Sequence, residues 1–315
     1  MPGRYLNLSK NELQTRVQTA LDLLDSCVVC PRQCQVNRLE DERGFCQTGR
    51  WAQVASYNLH FGEEAPLVGD NGSGTIFFAH CNLGCVFCQN WDISHSEQDF
   101  KPVGPEELAR IMLKLQEQGA HNINLVTPSH VVSQILEALP VAIQQGLKLP
   151  LVYNSGGYDA VSTLQLLEGI VDIYMPDTKF SDPRVAKRLC LAENYPQCAQ
   201  KAIREMHRQT GDLQLDQSGI ATQGLLIRHL VLPAGQAGTE EWMRFLAQEI
   251  STNTYINIMD QYHPSGRAGQ YPEINSTLSP EEYENALQTA KSYSLNRLDE
   301  RHKNRLAFRL KNLLR

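Results

Sequence analysis

The chain has 315 residues, a net charge of -6, and 42% hydrophobic against 20% charged residues, a balance that excludes a disordered polypeptide. No run of 18 apolar residues occurs, which argues against a membrane-spanning helix, and the first thirty residues lack the basic start and apolar core of a secretory signal. A cytoplasmic protein is therefore expected, and the acidic balance argues against nucleic acid as a partner.

In chain order, a helical stretch from about Lys10 to Leu24 comes first. It leads into Cys27-Val28-Val29-Cys30-Pro31-Arg32-Gln33-Cys34 and then Gly44-Phe45-Cys46. The chain has nine cysteines, and seven fall in two tight groups, Cys190 and Cys198 standing apart. Clustered thiols in a reduced compartment hold metals more often than they form disulfides. Cys27, Cys30, Cys34 and Cys46 make a complete four-thiolate set, which suits zinc or a second iron-sulfur cluster equally. Residues 1–70 are expected to form a separate helical and four-cysteine module. Glu63 and Glu64 at its end are surface charges or reach across the barrel mouth to the substrate.

The second group, Cys81-Asn82-Leu83-Gly84-Cys85-Val86-Phe87-Cys88, follows the apolar run Thr75-Ile76-Phe77-Phe78-Ala79, which has strand character. Gly84 would let the chain bend between ligands. Three thiolates share this loop, and no fourth ligand follows at a usual spacing. A cubane held by Cys81, Cys85 and Cys88 would keep one iron open, as catalytic metal sites keep a position free where structural ones are closed.

Beyond the loop, apolar runs alternate with amphipathic stretches. Strands are expected near 74–79, 122–127, 150–154, 171–175, 224–231 and 255–259. Helices are expected near 105–118, 130–145, 159–168, 183–209, 239–251 and 280–293. Six strand-helix units predict an α/β fold with parallel strands, a partial (β/α)6 TIM-like barrel over residues 71–293 behind the amino-terminal cysteine-rich module. Residues 294–315 read as a basic carboxyl-terminal helix, because residues 291–315 hold eight of the Lys and Arg residues.

In parallel barrels the working residues sit at the carboxyl ends of strands. Here those ends carry Asn124 to His130, Asn154-Ser155-Gly156-Gly157, Asp177-Thr178-Lys179, Arg228-His229 and Asp260 to His263. On an extended strand Arg228 and His229 must face opposite ways. His229 is expected to be structural, His130 to cap the next helix or stand near the site, and His263 to be a hydrogen-bonded structural group or line the substrate end.

The C-x3-C-x2-C loop after the first strand resembles the cluster motif of radical S-adenosylmethionine enzymes. The string from Gly74 to Phe78 and on through Gln89-Asn90-Trp91 is similar to the branch containing pyruvate formate-lyase activating enzyme. Cys27 to Cys46, followed by Phe61-Gly62-Glu63-Glu64-Ala65-Pro66, resembles the opening of its PflX-like relatives. The resemblance implies the partial barrel, a [4Fe-4S] cluster on Cys81, Cys85 and Cys88, and S-adenosyl-L-methionine on the open iron. A low-potential donor, flavodoxin or ferredoxin, would reduce the cluster. The product would be a 5'-deoxyadenosyl radical that abstracts hydrogen from a protein, peptide or small-molecule substrate, a glycyl-radical partner among them. It also places Asn124, Thr127, Asn154, Ser155, Asp177, Lys179 and Arg228 beside the cofactor. Asn154-Ser155 is similar to the segment supplying oxygens near the methionine, and Asp177 and Lys179 resemble the family's Asp-x-Lys pair. The competing expectation is a non-catalytic iron-sulfur or zinc protein, an electron carrier or scaffold, which would have no need of polar groups at five further strand ends.

Overall fold

The computed structural model describes residues 2–96 and 99–299. Nine strands, β1 Ala52–His60, β2 Ser73–Phe78, β3 Pro102–Val103, β4 Ile123–Val126, β5 Leu151–Ser155, β6 Ile173–Thr178, β7 Gln214–Leu215, β8 Ala221–Leu230 and β9 Tyr255–Met259, form one sheet. Six of them, in the order β2, β4, β5, β6, β8 and β9, run parallel, which is the expected set. Burial explains their composition: every residue of β5 and β6 is buried, as near-continuous apolar runs in a covered parallel sheet should be.

The helices are α1 Lys10–Asp22, α2 Ala65–Val68, α3 Trp91–Ser94, α4 Pro105–Glu117, α5 Val132–Gln144, α6 Val161–Leu166, α7 Pro183–Cys190, α8 Tyr195–Thr210, α9 Thr239–Phe245 and α10 Pro280–Ser292. Their starts are encoded locally. Ser9 caps α1, Asp182 caps α7, and Ser279 with Glu282 forms a full capping box on α10. The single helix expected over 183–209 is two. Leu191 takes a left-handed conformation (φ 56°) that ends α7, and Pro196 pre-sets the first turn of α8.

The amino-terminal segment is continuous with the barrel's sheet: β1 lies antiparallel to β2 and carries β3 on its other edge. After β1 the chain passes under the barrel. Leu67 of α2 then packs inside it against Val152, Ile173, Met175 and Leu226. At the other end of the chain, α10 is followed by a left-handed Ser294 (φ 63°), and Leu298 then forms a parallel bridge with Ile256 of β9. The rest of the expected basic helix lies outside the described residues. Among the described residues no helix is long and apolar enough to cross a membrane.

Candidate active site

The cysteine loop leaves the carboxyl end of β2 and is held by the end of α7. Gly84 N–H donates to the carbonyl of Cys190 (3.1 Å) and Val86 N–H to that of Leu189 (2.9 Å). Gly84 does not supply the expected left-handed bend, and a Cβ there would stand 2.7 Å from the flexible end of Leu191 and 3.3 Å from Phe45. Each thiol is surrounded by groups that favour a thiolate. Leu83 N–H lies 3.3 Å from Cys81 Sγ, the Ser94 hydroxyl 3.1 Å from Cys88 Sγ, and the positive charge of Lys179 acts on all three. Burial nevertheless pushes the metal-free Cys81 thiol up to about 12 and raises Cys88. Cys85 is raised by the hydrogen-bonded Cys190 thiol and then by burial. Thiols so placed become thiolates by binding a metal rather than by ionising in water. Cys190, isolated in the sequence, is thus a neighbour of the cluster loop.

Facing the loop is a buried charge network, and it gathers four residues expected from the sequence. Arg228 Nε donates to Asp177 Oδ1 (2.8 Å) and Nη2 to Asn154 Oδ1 (2.6 Å), while Lys179 Nζ donates to Asp177 Oδ2 (2.6 Å). Burial alone would raise Asp177; Arg228 and Lys179 outweigh it and hold the carboxyl below its ordinary range. The turn after β5 brings this network to the cluster. At Gly157 (φ 79°) a Cβ would meet the Asp177 carbonyl at 2.4 Å, and at Gly156 it would meet Leu83 of the loop at 3.0 Å. Only glycine permits that approach at Gly157. The Tyr195 hydroxyl, 2.9 Å from the carbonyls of both Gly156 and Asp177, accepts Lys179 N–H.

The other expected positions lie apart from that group. Ser155 turns away, donating to Asp159 (2.7 Å) and accepting Gly157 N–H, so its hydroxyl shapes the turn. Thr127 is left-handed (φ 60°) just past β4, and its N–H is taken by the Asn154 carbonyl. Asn124 is fully buried in β4, with neither amide atom hydrogen-bonded. His229 points away from Arg228 into contacts with Thr178 and Thr239, and burial lowers it to about 4. His130 contacts the carbonyl of Ala79 behind the loop (3.0 Å), and burial followed by Arg38 lowers it to about 3. His263 is exposed, 3.4 Å from Gln89.

Several site residues were not legible. Glu63 and Glu64 are both buried: Glu63 lies 3.7 Å from Arg228, and Glu64 accepts the Asn257 amide at 2.8 Å. The only available signal was the pair's position before the Pro66 turn, which does not distinguish a buried acid from an exposed one.

The four amino-terminal cysteines line one cavity together with Arg32, Arg38, Gly44 and His130. Here too each thiol has donors. Phe45 N–H is 3.4 Å from Cys34 Sγ, the Arg38 guanidinium 3.8 Å from Cys27 Sγ, Thr48 hydrogen-bonds Cys46, and the Arg32 N–H and Asn82 amide reach Cys30. Arg38 is 1% exposed, and its Nη2 has no hydrogen-bond partner. A buried guanidinium beside four thiols is a countercharge for thiolates. The loop carries left-handed Gln33, Gln35, Asp41 and Gln47, a concentration of non-glycine residues in a costly conformation. A Cβ at Gly44 would lie 2.7 Å from Cys34 Sγ. These features fit a bound metal. Among the described residues no three His, Cys, Asp or Glu side chains close on a single ion. Zinc would have to draw the sulfurs in to about 2.3 Å, whereas a four-iron cube bonds them to separate irons.

The radical SAM superfamily model matches residues 75–215, the stretch from the cluster strand through β7. The chain is 36% identical over 294 residues, 90% of its length and 80% of the relative's, to the uncharacterized protein MJ0674 of Methanocaldococcus jannaschii. Among solved structures it is similar to methylornithine synthase (16% identity, TM-score 0.47, covering 92% of this chain and 71% of that one). It is also similar to HydG, a maturase of the [FeFe]-hydrogenase (12%, TM-score 0.49, 92% and 62%). With its three-cysteine loop at the end of the first parallel strand, this chain belongs to the radical SAM superfamily, whose cofactors are a [4Fe-4S] cluster and S-adenosylmethionine.

Proposed function

We infer that the chain is an enzyme that reductively cleaves S-adenosyl-L-methionine to abstract hydrogen from a substrate, with a low-potential flavodoxin or ferredoxin as donor in the cytoplasm. When bound, the cofactor pair supplies one electron to the sulfonium, whose carbon-sulfur bond breaks to give methionine and a 5'-deoxyadenosyl radical. Cys81, Cys85 and Cys88 hold the cluster. Lys179 and Arg228 offer cations to the methionine carboxylate, and Asp177 and Asn154 offer oxygens to its ammonium. The observation that carries the reading is the face-to-face arrangement of a three-thiol loop and the buried Asn154-Asp177-Lys179-Arg228 network, joined at Leu83 and Gly156.

Apolar and aromatic neighbours keep water from the reacting groups. Leu83, Phe87, Tyr158 and Phe180 are buried around the loop, as a reactive radical requires. The substrate belongs to the protein, peptide or small-molecule classes, a glycyl-radical partner being the first to test. Cys27, Cys30, Cys34 and Cys46 hold a second metal, iron-sulfur or zinc.

The test is made anaerobically on reconstituted, dithionite-reduced protein given S-adenosylmethionine. Formation of 5'-deoxyadenosine by the natural chain and none by Cys85→Ala supports the reading. A cluster-loaded natural chain that makes none would leave the carrier or scaffold reading standing.

A further inference from the structure

The two cysteine groups are separated in sequence by 34 residues, from Cys46 to Cys81, yet their surroundings interlock. Arg32 lies between Cys30 and Cys34 and reaches out of its own site. Its Nε donates to the Asn82 carbonyl (2.8 Å), Nη1 to the Leu191 carbonyl (2.5 Å) and Nη2 to the Cys190 carbonyl (3.5 Å). The guanidinium is 3.6 Å from the Phe45 ring centroid and 5.3 Å from that of Tyr158. It thus sits on the last carbonyls of α7, where a cation is favoured. The Cys190 carbonyl also receives Gly84 N–H from the cluster loop.

Asn82 forms a second link. Its Nδ2 donates to the Tyr158 carbonyl (2.7 Å) and hydrogen-bonds Cys30, while its Oδ1 is 3.9 Å from Cys81 Sγ. One side chain therefore touches a thiol of each group. Tyr158 completes the frame, because its hydroxyl donates to Asn194 (2.6 Å) in the connection between α7 and α8.

We propose that Arg32 and Asn82 couple the two metal sites, so that filling the four-cysteine site braces the three-cysteine loop and slows loss of its cluster. The proposal rests on a metal being held by Cys27, Cys30, Cys34 and Cys46, and is indifferent to whether it is zinc or iron-sulfur. The physical basis is that ligation of Cys30 and Cys34 fixes both ends of the segment carrying Arg32. A fixed Arg32 loses little freedom when it binds the three carbonyls, whereas one on an unligated loop loses much more. A three-ligand cluster is held by fewer bonds than a four-ligand site, so its loop gains most from an external brace. Arg32 and Asn82 are positioning residues. Linkage makes the coupling reciprocal in affinity, though not in rate: emptying the three-cysteine loop must weaken equilibrium metal binding at the four-cysteine site by the factor by which that metal strengthens binding of the cluster.

The experiment uses the full chain, reconstituted anaerobically, in four forms: natural, Cys34→Ser, Arg32→Ala and Arg32→Lys. Iron and zinc per chain report the second metal. The three-cysteine cluster is followed separately, by the change that added S-adenosylmethionine makes in the electron paramagnetic resonance of the reduced sample, as a chelator removes iron. In Arg32→Ala the second metal stays and the S-adenosylmethionine-responsive signal decays about five-fold faster or more, the lower range of coupling between sites. Cys34→Ser loses the second metal and shows the same acceleration, while Arg32→Lys, which cannot span three carbonyls, falls between. Decay in Arg32→Ala at the natural rate with the second metal present overturns the coupling. Should Arg32→Ala not fold, Arg32→Lys decides, since it keeps the charge, and natural-rate decay there also overturns it. A natural chain with no second metal overturns the underlying assignment instead.

Discussion

The two cysteine groups answer the same problem, burying thiolates, in different ways. Around Cys81, Cys85 and Cys88 the nearby cation is Lys179, which is already paired with Asp177 and tied through it to Arg228. Around Cys27, Cys30, Cys34 and Cys46 it is Arg38, with no carboxylate among its hydrogen-bond partners, only the carbonyls of Gly49 and His130 and the Cys27 sulfur. In the first the cation belongs to a carboxylate network, which on the proposed reading also meets a ligand outside the protein. In the second the positive charge is committed to the thiolates themselves. Three ligands with a network of polar groups make an open site, and four with a dedicated countercharge make a closed one.

The largest expected effect comes from removing a ligand on each side in turn. Cys88→Ala abolishes 5'-deoxyadenosine formation while leaving the second metal in place. Cys46→Ala loses the second metal and retains turnover, reduced by the faster loss of the radical cluster. Product assay and metal content on the same samples check both, and total loss of turnover in Cys46→Ala would erase the distinction between the sites.

Next in size is the paired network. Arg228→Met removes one of the two cations on Asp177, Lys179 remaining, and the cation beside Glu63, which costs about 1–3 kcal/mol for a buried hydrogen-bonded partner lost. Urea unfolding reads this directly. A loss under about 1 kcal/mol would mean that Lys179 alone holds Asp177 and that the Arg228 pair adds little.

How much of this was legible follows from which forces act along the chain and which act across it. Strand and helix periodicity is local, so all six parallel strands were readable, and the three-cysteine loop was readable because its ligands lie within eight residues. Asn154, Asp177, Lys179 and Arg228 could be nominated because barrel geometry collects strand ends, although Ser155 shows that the alternation of a strand decides which of two adjacent residues faces the site. Arg32, Arg38 and Cys190 were invisible because their partners are backbone carbonyls and distant thiols, and nothing at their own positions encodes such contacts. The break at Leu191 was hidden by the amphipathic continuity of the helices on either side.

A smaller effect separates the two loop glycines. At Gly84 an added methyl meets the end of Leu191, an exposed and flexible side chain, so Gly84→Ala costs under about 1 kcal/mol. At Gly44 it meets the Cys34 sulfur and Cβ, and on the proposed reading that sulfur is fixed by a metal and would not swing aside. Gly44→Ala therefore costs about 1–3 kcal/mol and lowers the second metal's occupancy. Thermal unfolding with metal analysis checks the pair, and equal costs would show that the sulfur is free to move.

The last effect is a slope. His229 is buried and neutral, lowered to about 4 from an ordinary 6.5, so between those values the unfolded chain takes up a proton that the folded chain refuses. Its contribution is present above pH 6.5 and is lost as pH falls toward 4, at no more than about 1.4 kcal/mol per pH unit. Asp172 has the opposite sign. Burial raises it to about 6, so below that pH the folded chain holds a proton that the unfolded one releases, and stability is regained as pH falls from 6 to 3.8. Comparing urea midpoints of the natural chain and His229→Gln at each pH isolates the histidine, because Asp172 and any acid-dependent metal loss are common to both. Relative to the natural chain, the variant gains stability as pH falls from 6.5 to 4, because only the histidine's loss is removed; parallel curves would mean that His229 is protonated in the fold, with its ring bonds to Thr178 and Thr239 rearranged.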